Sequence, residues 1–219
     1  MFPHRRAPTR PSTLAGVPPD RRILFFGDSF VAGVGDPTGL GWVGRVVAAS
    51  HDAGRPITAY NLGVRGDTSA DVAARFAAEL HARARVATAS YGVVLGVGAN
   101  DMTVQDNRLR VAPGPAIRTL NGLIDRAEAG GHGVFIVGPP PVGDAEQDER
   151  IRELSSQFAH VATHRGVAFV ETAGVLGAHN GWRGEAAAND GSHPGAGGYA
   201  ALANLVLDGG WADWVGRRG

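Results

Sequence analysis

The stretch "ILFFGDSFVAG", residues 23–33, decides how the rest of the chain is read. Four apolar residues run directly into Gly27, Asp28 and Ser29, after which the chain turns apolar again. A continuous Ile-Leu-Phe-Phe run reads as a parallel strand covered on both faces, not as the alternation of a half-exposed one. A serine at the end of such a strand either caps the next helix or offers its hydroxyl for use.

Further strand candidates lie at 57–61, 91–97, 133–137 and 167–171, several of them nearly continuous in Val, Ile, Leu or Phe. Helical stretches separate them. The spacing predicts helices at 42–51, from the Thr68 cap onward, 116–129, 144–165 and 197–207. Thr68 followed by Asp71 resembles a capping box, Pro115 suits a first turn, and Gly130 and Gly166 suit helix ends. Strand–helix alternation repeated about five times predicts an α/β fold. The expected architecture is a three-layer α/β/α sandwich, flavodoxin-like, around a five-stranded parallel sheet of order 2-1-3-4-5.

At 219 residues, 43% apolar and 19% charged, the chain suffices for one domain, expected over 21–219. Residues 1–20 are rich in Pro and Arg and lack the apolar segment of a secretory signal; Pro3, Pro8 and Pro11 would break a transit helix. They read as a disordered leader on a cytoplasmic protein. A formal net charge of zero gives no footprint for nucleic acid or anionic membrane, and no apolar run reaches spanning length. The chain has no Cys, and all 21 of its basic residues other than His are Arg. Disulfides, thiolate metal sites, a cysteine nucleophile and lysine chemistry are therefore excluded. Covalent catalysis would fall to Ser or Thr with His.

In open parallel sheets ligands bind beyond the carboxyl ends of the strands. Four polar segments follow strands here: Gly27-Asp28-Ser29, "NLGVRGDTS" at 61–69, "GVGAND" at 96–101 and "NDGSHP" at 189–194. A serine hydroxyl becomes nucleophilic when an imidazole takes its proton, and His193 is the candidate base. Asp190 could reach its Nδ1 within one turn and fix the tautomer. The N–H of Ser29, the N–H of Gly63 and the amide of Asn100 could receive a developing oxyanion, each such donor being worth about 3–4 kcal/mol. Gly63, without Cβ, would let its backbone approach a substrate. Taken singly, each has a plainer reading: Ser29 as a cap, Gly63 and Gly66 as turn formers, Asn100-Asp101 as an Asx turn. Their convergence on one sheet edge favours catalysis.

The blocks "GDSF", "NLGVRG", "GAND" and "DGSHP" together resemble those of the SGNH, or GDSL-type, hydrolase family, over about residues 23–207. The departure is Phe30 where the family name has Leu. The resemblance implies Ser29 as nucleophile and first oxyanion donor, Gly63 and Asn100 as the others, His193 as base and Asp190 as its partner. It implies hydrolysis of ester or thioester bonds in small-molecule substrates without cofactor or metal. Little length remains for a lid, which points to short acyl groups. Acyl transfer or thioester hydrolysis at the same site, or a flavodoxin-like phosphate-binding module, are the alternatives. His160 and His164 stand four apart on a helix but lack a metalloprotease glutamate between them. Trp42 and Trp182 either wall a pocket at the active edge or cover the core.

Overall fold

A computed structural model of the chain describes residues 20–216. The expected leader, apart from Asp20, lies outside them. Nine helices and seven strands follow in the order β1 (Arg21–Gly27), α1 (Ser29–Ala32), α2 (Gly41–Asp52), β2 (Thr58–Gly63), α3 (Ser69–Arg83), β3 (Ser90–Gly96) and, after a 3-10 turn at Asn100–Met102, the short strands β4 (Val104–Gln105) and β5 (Arg108–Leu109). Then come α4 (Pro113–Ala129), β6 (Gly133–Val137), α5 (Ala145–Arg165), β7 (Ala168–Val170), α6 (Ala173–Gly177), α7 (Asn180–Ala188), α8 (Ala196–Val206) and α9 (Ala212–Gly216), the last two joined by a π-type turn at Leu207–Trp211.

The main sheet is parallel, with order β2-β1-β3-β6-β7. Counting only its own strands, that is the expected 2-1-3-4-5. Strand β1 lies inside the sheet between β2 and β3 and is almost wholly buried, as its apolar run requires. Its side chains alternate between layers: Phe25 meets Trp42 of α2 at 5.7 Å, while Phe26 meets Phe76 of α3 at 4.7 Å. At the far end of the sheet Trp211 and Trp214 pack on Phe135, centroids 5.5 and 5.3 Å away. Burying aromatic area on both faces is the main source of stability in such a layered core.

Helix boundaries follow the sequence closely where caps were visible. Thr68 and Asp71 form a reciprocal capping box, and Asp144 accepts from the Gln147 N–H at 2.8 Å. Helix α4 begins at Pro113, one turn before the expectation, with proline in its opening turn. Trp42 and Trp182 are both 1% exposed, so they cover the core and do not wall a pocket. Strand β2 runs to Gly63, beyond the expected end at 61, and β7 is only three residues long. Among the described residues no helix is long and apolar enough to cross a membrane.

Candidate active site

Strands β1, β2 and β3 end on Gly27, Gly63 and Gly96, which are register partners across the sheet. This row of glycines makes a recess for α1. A Cβ on Gly27 would stand 2.4 Å from Val31 Cγ2, and one on Gly63 only 2.3 Å from the Ala32 nitrogen. Real Cβ contacts do not reach such distances, so the short helix carrying Ser29 sits where it does because side chains are missing beneath it. Packing against α1 therefore by itself requires glycine at position 63.

Asp28 supplies the N-cap of α1: its Oδ1 accepts from the Phe30 N–H at 2.9 Å. Ser29 is the first helical residue, and its hydroxyl is not the cap. Instead Ser29 Oγ lies 2.7 Å from His193 Nε2, although the two are 164 positions apart. His193 Nδ1 lies 2.7 Å from Asp190 Oδ2.

The Asp190–His193 turn is locked by its own backbone. Asp190 Oδ1 accepts the N–H groups of Ser192 (3.0 Å) and His193 (2.8 Å), and Gly191 takes the left-handed φ of +91° that this bend needs. Asn189 Nδ2 donates to the His193 carbonyl at 3.1 Å. Burial works against a charged Asp190, but hydrogen bonds from the His193 backbone and ring and from Ser192 outweigh it and hold the carboxyl at about 2. An ionised Asp190 can only accept, so the His193 proton sits on Nδ1 and Nε2 is left to accept from the Ser29 hydroxyl. Phe30 backs the imidazole, its ring centroid 5.0 Å away, and is itself stacked on Trp182 at 5.9 Å.

The other sequence-chosen residues gather at the same edge with their polar groups already engaged. Asn100 Nδ2 donates to Asp67 O at 3.0 Å and to Asp28 Oδ2 at 3.2 Å. The Gly63 N–H donates to Asn61 Oδ1 at 3.0 Å. By contrast, the N–H groups of Ser29 and Gly66 meet no acceptor among the described residues. Gly66 has φ +80°, is exposed, and belongs to the same loop as Asp67, the residue that Asn100 binds. In the sequence Gly66 carries no mark beyond turn chemistry, because the free N–H shows only in the fold.

Buried acids surround the Ser29 turn. Asp28 is 2% exposed; burial pushes it up to about 7, against the Phe30 hydrogen bond, and the nearby charges of Asp101 and Asp67 push the same way. Asp101 is fully buried and accepts from the Ser69 N–H at 2.8 Å and from its hydroxyl, so it fastens the start of α3 beneath the site. Among the described residues no group of three or more His, Cys, Asp or Glu is placed to hold a metal ion. His160 and His164 lie on α5.

Residues 25–201 match the model of the GDSL-like lipase/acylhydrolase family. No curated protein sequence matches the chain. Among solved structures, the lipase/acylhydrolase from Enterococcus faecalis is similar over 91% of this chain and 100% of its own, with TM-score 0.73 at 24% identity. TesA is similar over 87% and 98%, with TM-score 0.69 at 26% identity. An acetylxylan esterase, Axe2 from Geobacillus stearothermophilus, is similar over 92% and 96%, with TM-score 0.71 at 21% identity.

Proposed function

The chain belongs to the GDSL-like lipase/acylhydrolase family, a family of ester-cleaving hydrolases, and from that premise we propose a serine esterase that works through an acyl-enzyme on Ser29. One observation carries the reading: the unbroken chain Ser29 Oγ, His193 Nε2, His193 Nδ1, Asp190 Oδ2, with both polar contacts at 2.7 Å. Ser29 Oγ attacks the ester carbonyl as His193 Nε2 takes its proton. Asp190 holds the ring tautomer and stabilises the imidazolium. His193 then returns the proton to the leaving alcohol, and a water activated by the same nitrogen releases the acid.

The tetrahedral oxyanion needs donors fixed in advance. The Ser29 and Gly66 N–H groups are free to serve. Asn100 serves by turning toward the oxyanion the hydrogen now given to Asp28, the longer of its two bonds. The Gly63 N–H joins them only if Asn61 releases it, so Gly66 takes the role first read for Gly63.

Short acyl groups suit the site best. Both large tryptophans near the edge are spent on core packing and leave no aromatic channel for a long chain. The exposed large apolar side chains in the segments after β1, β2 and β3 are Leu40, Val64 and Val104, one to each segment.

The test is a series of p-nitrophenyl esters from acetate to long acyl chains, with Ser29→Ala as control. Turnover should be greatest with acetate or butyrate and vanish in Ser29→Ala at an unchanged melting temperature. Retained activity in the variant would remove the nucleophile from this scheme.

A further inference from the structure

The loop between Gly63 and Thr68 has little packing to hold it, since Val64, Arg65 and Gly66 are all exposed. A hydrogen-bond donor serves an oxyanion only if it is held within a fraction of an ångström. What fixes this loop must therefore be polar. Helix α3, one turn and a half beyond the loop, sends Arg75 back beneath it. Arg75 Nε donates to Asp67 Oδ2 at 2.8 Å, and Arg75 Nη2 donates to the Gly27 carbonyl at 3.0 Å. The same carbonyl accepts the Val64 N–H at 3.0 Å, and Asp67 N donates to Val64 O at 3.2 Å. Gly27 directly precedes Asp28 and Ser29. One guanidinium thus spans the loop's two ends and the root of the nucleophile turn.

We propose that Arg75 is a positioning residue that sets the oxyanion loop relative to Ser29. It reaches none of the triad side chains, and it acts through Asp67, whose carbonyl also receives Asn100 Nδ2. The inference rests on the serine-esterase reading above.

The surroundings of the guanidinium support a geometric role over simple charge pairing. Its side chain is 20% exposed and that of Asp67 14%, so both lie largely out of water. Nη1 is buried without a partner among the described residues, and the guanidinium lies over the Phe26 ring at 5.9 Å. An arginine with a donor left unspent is a poor choice for filling a core; its two committed donors account for its presence. A second tie, Arg110 Nη1 to Gly66 O at 2.8 Å, comes from the other side of the loop, from a side chain 28% exposed. It holds Gly66 alone and does not reach the Ser29 turn.

The experiment measures steady-state kinetics of p-nitrophenyl acetate hydrolysis, pH profiles and melting temperatures for Arg75→Met, Arg75→Lys, Asp67→Ala and the double variant Arg75→Met/Asp67→Ala. Arg75→Met should lower kcat by about 10- to 100-fold, with KM changed by less than about twofold. The midpoint of the kcat/KM pH profile should not move, because the His193–Asp190 pair is untouched. Arg75→Lys should recover part of the loss, since one ammonium can meet one of the two acceptors. Asp67→Ala should fall in the same direction, and the double variant should be no slower than Arg75→Met alone.

A folded Arg75→Met enzyme with wild-type kcat, a loss confined to KM, or losses that multiply in the double variant would each overturn the proposal. Should Arg75→Met fail to fold, an unaltered kcat in Asp67→Ala overturns it equally. Turnover that does not depend on Ser29 overturns the esterase reading and this one together. Ser29-dependent turnover indifferent to Arg75 and Asp67 overturns this one alone.

Discussion

The ring of Phe30 lies against that of His193, centroids 5.0 Å apart and planes inclined by 40°. Phe30 is 4% exposed and continues the stack onto Trp182. Trp182 is in turn pinned by its indole N–H, which donates to the Pro141 carbonyl at 3.1 Å. The residue next to Ser29 thus forms part of the wall that keeps the imidazole over the Ser29 hydroxyl.

Phe30→Ala should act on both stability and rate. Emptying a buried phenylalanine site costs about 3–5 kcal/mol, or roughly 10 °C in melting temperature for a chain of this size. With its backing gone, His193 samples orientations away from Ser29, and kcat should fall about tenfold or more. Phe30→Leu, which refills much of the space and restores the letter found in the family name, should return most of both. Calorimetry and ester kinetics on the two variants check this; wild-type kcat in Phe30→Ala would show that the ring does not position the base.

Gly63 and Gly66 are separable by experiment because their demands differ. Alanine at Gly63 places a methyl 2.3 Å from the Ala32 nitrogen and 2.7 Å from the Asp28 carbonyl oxygen, both backbone atoms that cannot step aside. Gly63→Ala should therefore be strongly destabilised, by upwards of about 3 kcal/mol, and recovered poorly in soluble form. Alanine at Gly66 meets nothing within 4 Å but must adopt a left-handed backbone at φ +80°. That costs about 1–2 kcal/mol, so Gly66→Ala should fold, while the shifted N–H lowers kcat. Urea titration and kinetics on the pair decide the matter. A stable, fully active Gly66→Ala would take that N–H out of the oxyanion scheme.

Much of this was legible in the residues. Strands such as β1 and β3 announce themselves as nearly continuous apolar runs, whereas β2, with only Leu62 buried, gives a weaker signal. The polar segments after the strands fall on one edge because a parallel sheet has only one carboxyl end. Ser29, Asp190, His193 and Asn100 could be chosen because each follows such a strand or stands in a loop with turn chemistry. The hairpin of β4 and β5 was missed: each arm has two residues, too few for a pattern. Its turn at Asp106-Asn107, both at positive φ, was the only mark it left. Helix α7, "NGWRGEAAA", was missed because its Asn and Gly residues oppose helix formation, which packing of Trp182 and Ala186 overrides. The packing demand for glycine at Gly63 was not legible, since it comes from α1, more than thirty residues earlier in the chain. Arg75 left no local signal either, because a long side chain on one helix can serve a loop that precedes it.

Asp28 predicts a pH dependence of stability with an uncommon sign for an aspartate. Its folded-state pKa, pushed up to about 7 chiefly by burial, lies above the ordinary carboxyl value of 3.8. Between those values the folded protein holds a proton that the unfolded chain has released, so stability falls as pH rises and levels off above about 7. The slope from one such group is at most about 1.4 kcal/mol per pH unit. Asp190 has the opposite sign, but its pKa of about 2 confines its effect to more acid solutions, below the window in question. Asp28→Asn keeps a side-chain oxygen to cap the Phe30 N–H and cannot titrate. Its altered contact with Asn100 shifts stability by an amount independent of pH, so the readout is the slope and not the offset. Unfolding free energies from urea titrations at half-unit steps between pH 5 and 8 should decline more steeply in the wild type than in Asp28→Asn, the two curves becoming parallel above pH 7. Curves parallel throughout would mean that Asp28 is already ionised at pH 5, and the buried acid beside Ser29 would then be charged across the whole range tested.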